Sequence, residues 1–247
     1  MSESAPTSDT ICSVQDRYDA LRNVSPEGPC PYLPGLMARH EAYHLDTLSG
    51  TAYERLLGRG FRRSGRLVYR PRCRACAQCR QIRVLVDEFV PSRSMRRIWR
   101  RNQDVEMRVG QSEASEEKYE VYRRYLNAQH DGTMSRDEQT FLDFLYDSPT
   151  ESLEFEYLLG RRLLGVGIAD VCPAGLSSVY MYFDPEFERR CPGALSVLRE
   201  VAWCREQGLP YYYLGYFVAG SRTMAYKSRF RPNEILVGGG RWVRLRG

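Results

Sequence analysis

What most constrains the fold is the order of elements legible in the second half of the chain. Apolar and alternating stretches over 153–159, 163–171 and 177–183 predict three strands. Gly160-Arg161-Arg162 and Cys172-Pro173-Ala174-Gly175 mark the turns between them, and Asp184-Pro185 ends the third. An amphipathic stretch over 193–207 predicts a helix closed by Gly208-Leu209-Pro210, and 211–214 returns as a strand. β-β-β-α-β is an antiparallel meander followed by a crossover helix, which sets the chain in the α+β (α/β-like) class.

The first half is less regular. Residues 1–28 are polar and Pro- and Ser-containing, expected to be a flexible N-terminal segment. Pro29-Cys30-Pro31-Tyr32-Leu33-Pro34-Gly35 must be extended and turn-rich. Strands are expected at 38–45, 66–70 and 82–86, a short helix at 51–57 ended by Gly58 or Gly60, and a basic helix at 92–102 capped by Ser92 or Ser94. Two helices follow within 115–147. Their stripes, Tyr119, Tyr122, Tyr125 and Leu126, then Phe141, Phe144 and Leu145, read as core. The chain divides into 1–28, an N-terminal Cys/Arg-rich α+β domain at 29–108, and a C-terminal domain at 109–247.

Charge is segregated along the 247 residues. The net charge of +5 resolves into −5 over 1–54, +12 over 55–108, −8 over 109–157 and +6 over 158–247. Of 36 basic residues, all but Lys118 and Lys227 are Arg. Arg presents a planar fork suited to phosphate and stacks on bases, and Phe61, Tyr69, Phe89 and Trp99 are interleaved with the +12 block. An Arg-rich proteome would spread the charge evenly, so the block points to a polyanion partner. No apolar run reaches the roughly 18 residues of a membrane span, and no apolar h-region follows the N-terminus, so a cytoplasmic, non-membrane location is expected.

In a reducing compartment the cysteines read as metal, redox or packing residues. Cys12, Cys172, Cys191 and Cys204 are scattered. Cys73-x2-Cys76-x2-Cys79, with Cys30, can converge on one soft metal, as an iron–sulfur or zinc site; packed, reduced thiols are the plainer alternative. Arg190-x-x-Gly193-Ala194, between a strand and a helix, is a phosphate seat or simply a helix start. Gly215 to Pro232 is an aromatic, cationic stretch holding Lys227, a point charge in a chain that otherwise uses Arg. His40, His44 and His130 lie far in sequence from the C-terminal sheet, so no Ser–His–Asp or Cys–His logic is available. What remains is attack by a bound nucleophile on an already activated acyl group.

These motifs in order resemble the arginyl-tRNA–protein transferase family, in its short bacterial branch of aspartate/glutamate leucyltransferases. The resemblance runs through Pro29-Cys30-Pro31-Tyr32-Leu33-Pro34, Gly60-Phe61-Arg62-Arg63-Ser64-Gly65, Tyr69-Arg70-Pro71-x-Cys73-x2-Cys76-x2-Cys79 and Phe89-x-Pro91-Ser92-Arg93-Ser94-x-Arg96-Arg97. It continues in Ser177-Ser178-Val179-Tyr180-x-Tyr182-x-Asp184-Pro185, Leu214-Gly215-Tyr216 and Met224-x-Tyr226-Lys227-x-x-Phe230-x-Pro232, spanning roughly 29–237. Cys191-Pro192-Gly193-Ala194 departs from the family's usual Ser-Leu-Gly-Thr.

The resemblance implies a GNAT-like (acyl-CoA N-acyltransferase-like) catalytic half. It also implies transfer of leucine from leucyl-tRNA, as co-substrate, to proteins with N-terminal Asp or Glu in the N-degron pathway, with no cofactor required for transfer. On that basis Arg62, Arg63, Arg96, Arg97, Arg100 and Arg101 are expected at tRNA phosphates, and Arg190 and Gly193 at the charged 3′ end. Lys227, Arg222 and Tyr216 are expected at the acidic acceptor, and Asp184, Tyr226 or Asp170 at the amine proton. Arginyl transfer, coenzyme A-dependent acetylation and a noncatalytic RNA- or metal-binding role are the alternatives.

Overall fold

A computed structural model describes residues 22–129 and 134–245. Cys12, His130 and most of the segment 1–28 lie outside the described residues. The first described elements are small strands: β1 (Arg22–Val24), β2 (Gly28–Pro29), β3 (Met37–Ala38) and β4 (His40–His44). Helix α1 (Gly50–Leu57) follows, capped by the Ser49 hydroxyl, which accepts from Ala52 N, and ended at Gly58. Next come β5 (Arg62–Ser64), β6 (Leu67–Pro71) and β7 (Arg80–Leu85), then α2 (Arg93–Arg101), capped by Ser92, and β8 (Val105–Gln111). Helix α3 (Glu116–Gln129) and the short α4 (Glu138–Phe141), which runs on as a π-turn to Tyr146, carry the aromatic stripes.

The expected meander follows as β9 (Ser152–Leu159), β10 (Arg162–Cys172) and β11 (Gly175–Phe183), all antiparallel. A 3-10 turn at Pro185–Arg190 leads into α5 (Pro192–Glu206), and β12 (Tyr211–Phe217) returns parallel to β11. A second 3-10 turn, Ala225–Arg229, precedes β13 (Asn233–Val237) and β14 (Arg241–Arg244).

Two sheets result. A four-stranded sheet has the order β1-β4-β6-β5, and an eight-stranded sheet the order β14-β13-β7-β12-β11-β10-β9-β8. β7 and β8 belong to the stretch 29–108 yet sit in the large sheet, so the first half of the chain supplies two of its strands. Periodicity alone missed β5, β8, β13 and β14. Three are polar or arginine-rich, and only strand pairing makes them strands.

Alternation along the strands sends side chains to two faces. On one face α2 and α5 pack over Val84, Phe155, Leu176, Tyr212 and Leu214. On the other, α1 and the small sheet enclose Tyr53, Phe61, Val68 and Tyr213. Further along that face, α3 and α4 enclose Tyr122, Leu126, Phe141, Leu145 and Tyr182. The aromatic stripes are core, as their spacing predicts.

Candidate functional site

The large sheet has a gap in its middle. β11 and β12 pair in parallel only through Gly175↔Tyr211, Leu176↔Tyr212 and Ser177↔Tyr213. Beyond Ser177 the two strands part. The carbonyls of Ser178 and Val179 therefore lack a strand partner on that side, and an arginine from the small sheet takes them. Arg62 Nη2 donates to Ser178 O and, at 3.3 Å, to Val179 O. Its guanidinium carbon lies 5.9 Å from the ring centre of Tyr216.

Gly215 permits this. Its φ of +86° is a left-handed conformation, and a Cβ there would collide with Nη1 of Arg62. The register shift in β12 between Tyr213 and Gly215 marks the same spot. Arg62, expected at a tRNA phosphate, is thus half-buried in the wedge between β11 and β12.

Lys227 lies at the same wedge. It is 7% exposed, and its Nζ donates to Tyr216 O at 2.9 Å. Burial first, and the Arg62 charge second, lower its pKa from the ordinary lysine value to about 7. Among the described residues no carboxylate pairs with Lys227. Tyr226 is 40% exposed. Burial around its hydroxyl raises its pKa, Arg62 lowers it and Glu200 raises it. Arg222 is exposed in the loop after β12.

Several expected residues serve the fold instead. Arg63, expected at tRNA, has a fully buried side chain and pairs with the fully buried Asp170. Nε donates to Oδ2 and Nη2 to Oδ1, both at 2.8 Å, and Ser152 Oγ donates to Oδ1 at 2.7 Å. Arg63 therefore reaches no phosphate, and Asp170 has no access to a substrate amine. Asp184 caps the Pro185–Arg190 turn by accepting from Glu186 N, and it pairs with Arg124 at 3.0 Å and Arg162 at 3.7 Å. It is 3% exposed, so its role as proton acceptor is corrected in the same way. Tyr216 is buried and donates to the carbonyls of Gly60 and Tyr69, so it joins the two sheets and leaves no free hydroxyl for an acceptor.

A carboxylate that sequence reasoning missed lies behind the wedge. Glu200 of α5 is 2% exposed, and its two oxygens accept from the hydroxyls of Tyr157 (2.9 Å) and Tyr212. Burial raises its pKa to about 7, against the lowering effect of the two tyrosines. Its position between Ser196 and Cys204 on the apolar face of the helix was the signal that could have found it.

The expected RNA contacts form one surface. Arg96, Arg97, Arg100 and Arg101 of α2 are exposed. The end of this helix is tied to the turn before α5: Arg101 Nη1 donates to Arg189 O at 2.6 Å, and Asn102 Nδ2 to Arg190 O at 3.0 Å. Arg190 pairs with Asp104 at 2.8 Å, and Gly193 lies in the first turn of α5 behind the left-handed Cys191. A groove of about 440 Å³ between α2 and α5 is floored by Leu198, Val201 and Ala202 and rimmed by Arg96, Arg100 and Arg205.

Cys30, Cys73, Cys76 and Cys79 line one cleft of about 640 Å³. Burial, then the neighbouring Cys30, Cys73 and Cys76, push the Cys79 thiol up to about 12. Among the described residues no three His, Cys, Asp or Glu side chains gather as a metal-holding group. The thiols as arranged do not fit an iron–sulfur or zinc centre, and no step of the reaction below runs through one.

Two family descriptions match this chain: arginine-tRNA-protein transferase, N terminus, over residues 28–97, and arginine-tRNA-protein transferase, C terminus, over residues 117–237. The chain belongs to this transferase family. Curated relatives agree. An aspartate/glutamate leucyltransferase of Ruegeria pomeroyi is 42% identical over 89% of this chain and 82% of its own length. One of Hahella chejuensis is 37% identical over 87% and 93%. Among solved structures, the C-terminal domain of a candidate lysylphosphatidylglycerol synthetase from Agrobacterium fabrum has a TM-score of 0.50 at 13% identity, over 77% of this chain and 62% of that one. That likeness concerns the fold of the transferase alone. Among its described residues, no helix is long and apolar enough to cross a membrane.

Proposed function

We propose that this chain transfers leucine from leucyl-tRNA to the α-amine of proteins that begin with Asp or Glu, in the cytoplasm, as a step of N-degron marking. The catalytic half is read as GNAT-like: a meander, a crossover helix and a parallel strand that parts from its neighbour. The observation that carries the reading is the wedge where β11 and β12 separate, which gathers Arg62, Lys227 and Tyr226.

The aminoacyl ester is already activated, so the protein must position it, receive one proton and stabilise an oxyanion. The exposed arginines of α2, with Arg190 and Gly193, suit the RNA. In the wedge the acceptor nitrogen attacks the leucyl carbonyl carbon. A C–N bond forms, the ester C–O bond breaks, and the amine proton ends on the ribose oxygen.

Lys227 suits the relay: an amine tuned to about 7 is matched to the proton of an α-ammonium group. Tyr226 has a raised pKa, so its hydroxyl stays protonated and suits donation to the oxyanion rather than proton removal.

The test is transfer from a panel of charged tRNAs to Asp-, Glu- and Lys-headed peptides, with acetyl-CoA as control. Leucine on the acid-headed peptides is the expected product. Arginine transfer, acetylation or no product rejects the reading. Lys227 must be neutral to accept, so the rate should rise with pH through about 7. Lys227→Gln should lower kcat by about 100-fold and remove that limb; an unchanged profile assigns the proton elsewhere.

A further inference from the structure

The groove between α2 and α5, about 440 Å³ in volume, is apolar inside and cationic at its rim. Pro91, Trp99 and Ala202 are half-buried and form its walls, and it reaches down to the buried Leu198 and Val201. Arg96, Arg100 and Arg205 stand exposed around it, and among the described residues no acidic side chain lines it. The stretch that leads into α2 holds two of these arginines in place. Arg96 Nη1 donates to Pro91 O at 2.7 Å, and Arg205 Nη2 to Phe89 O at 2.9 Å. Arg100 has no hydrogen-bond or ion-pair partner among the described residues.

Size and charge together select the occupant. The volume suits one small flat group. The ring of arginines suits a chain that carries negative charge on both sides of that group. An acidic peptide has the charge without the flat apolar faces. Single-stranded RNA has both, because a base with two apolar faces sits between phosphates.

We infer that this groove receives one unpaired base from the 3′ tail of the donor tRNA, with the neighbouring phosphates at Arg96, Arg100 and Arg205. The inference rests on the transferase reading above and locates part of its donor. At 1.5 Å per residue, Leu198 to Arg205 lie about 8–18 Å along α5 from Gly193, where the charged end is placed. The base is therefore one upstream of the terminal nucleotide, whose ester is held at the wedge. Stacking beside Trp99 tolerates any base, so the groove anchors the tail and does not read which amino acid it carries.

The experiment is filter binding of uncharged tRNA to the full-length protein across a salt series. The tRNA is used intact and with single bases of its unpaired 3′ tail removed, which leaves every phosphate in place. In wild type, one abasic position upstream of the terminal nucleotide should weaken binding at least about tenfold at an unchanged salt slope. Ala202→Phe fills the groove and keeps the rim charges. It should weaken intact tRNA by the same factor and show no further loss at that abasic position. Arg100→Ala should weaken intact and abasic tRNA alike and lower the salt slope by about one.

Equal binding of every abasic tRNA by wild type overturns the inference, and so does a full abasic loss retained by Ala202→Phe. An unchanged slope for Arg100→Ala takes the phosphate off the rim and counts against it. A wild-type dimer that Ala202→Phe dissolves on sedimentation makes a second copy the occupant and overturns it too. Should Ala202→Phe not fold, Ala202→Leu serves, and the wild-type abasic series decides without either. Because the tRNA is uncharged, a negative result here leaves leucyl transfer standing, and a failure of leucyl transfer leaves this binding result readable.

Discussion

At the scale of single residues, the wedge depends on a glycine as much as on a charge. Gly215 holds φ +86°, and a side chain there meets the Arg62 guanidinium. Gly215→Ala should therefore lower stability by about 1–3 kcal/mol through backbone strain and also expel Arg62 from its seat. Thermal melts and acceptor kinetics check this together. The variant should melt lower and transfer more slowly than wild type, and wild-type values in both would show that the seat of the arginine does not matter. The sequence made Lys227 conspicuous as one of two lysines. It gave Arg62 no such mark, being one of 34 arginines in a block whose charge suggested RNA throughout. Arg62 and Arg63 are adjacent on β5 and point to opposite faces, as strand neighbours must. One enters the wedge and the other pairs with Asp170 in the core. Counting charge could not separate them, because the difference lies in what the small sheet packs against.

Among elements, α2 was the most legible. Ser92 marks its start, and RSMRRIWRR puts Arg at five of nine positions. Met95 is its one buried residue, so the arginines line an exposed face. Replacing Arg96 and Arg97 with Ala should weaken leucyl-tRNA binding and reduce the slope of log K against log salt by about two. Filter binding across a salt series checks this, and an unchanged slope would move the RNA to another face. The meander and α5 were equally plain, since their apolar periodicities differ and their turns carry Gly and Pro. β8 and β14 escaped notice for the opposite reason. As edge strands they expose polar side chains, and their hydrogen bonds leave no trace in composition.

Across the whole molecule, the Arg63–Asp170 pair ties the small sheet to β10, and the Tyr216 hydroxyl ties β12 to the carbonyls of Gly60 and Tyr69. Both carboxylate oxygens of Asp170 are matched, so breaking the pair strands a buried charge. Asp170→Ala should cost about 3–5 kcal/mol, and adding Arg63→Met should restore a large part of it. Urea unfolding of the two variants checks this; equal losses would mean that packing, not charge, joins the layers. The thiol cleft shows the limit of spacing as a guide. Three cysteines in seven residues suggested a ligand set, and proximity alone brought them to one cleft without the convergence a metal requires.

The place of β7 between β12 and β13 has a consequence for how the chain comes into being. Tyr212 lies opposite Val84, and Asn233 opposite the same residue. During synthesis residue 84 leaves the ribosome long before either partner exists. Until then β7 waits as an apolar strand with both edges bare, and the sheet closes around it only when the last strands arrive. Arg80 and Arg83, two of its own six residues, are charges of the kind that oppose pairing of such a waiting strand with a neighbouring nascent chain.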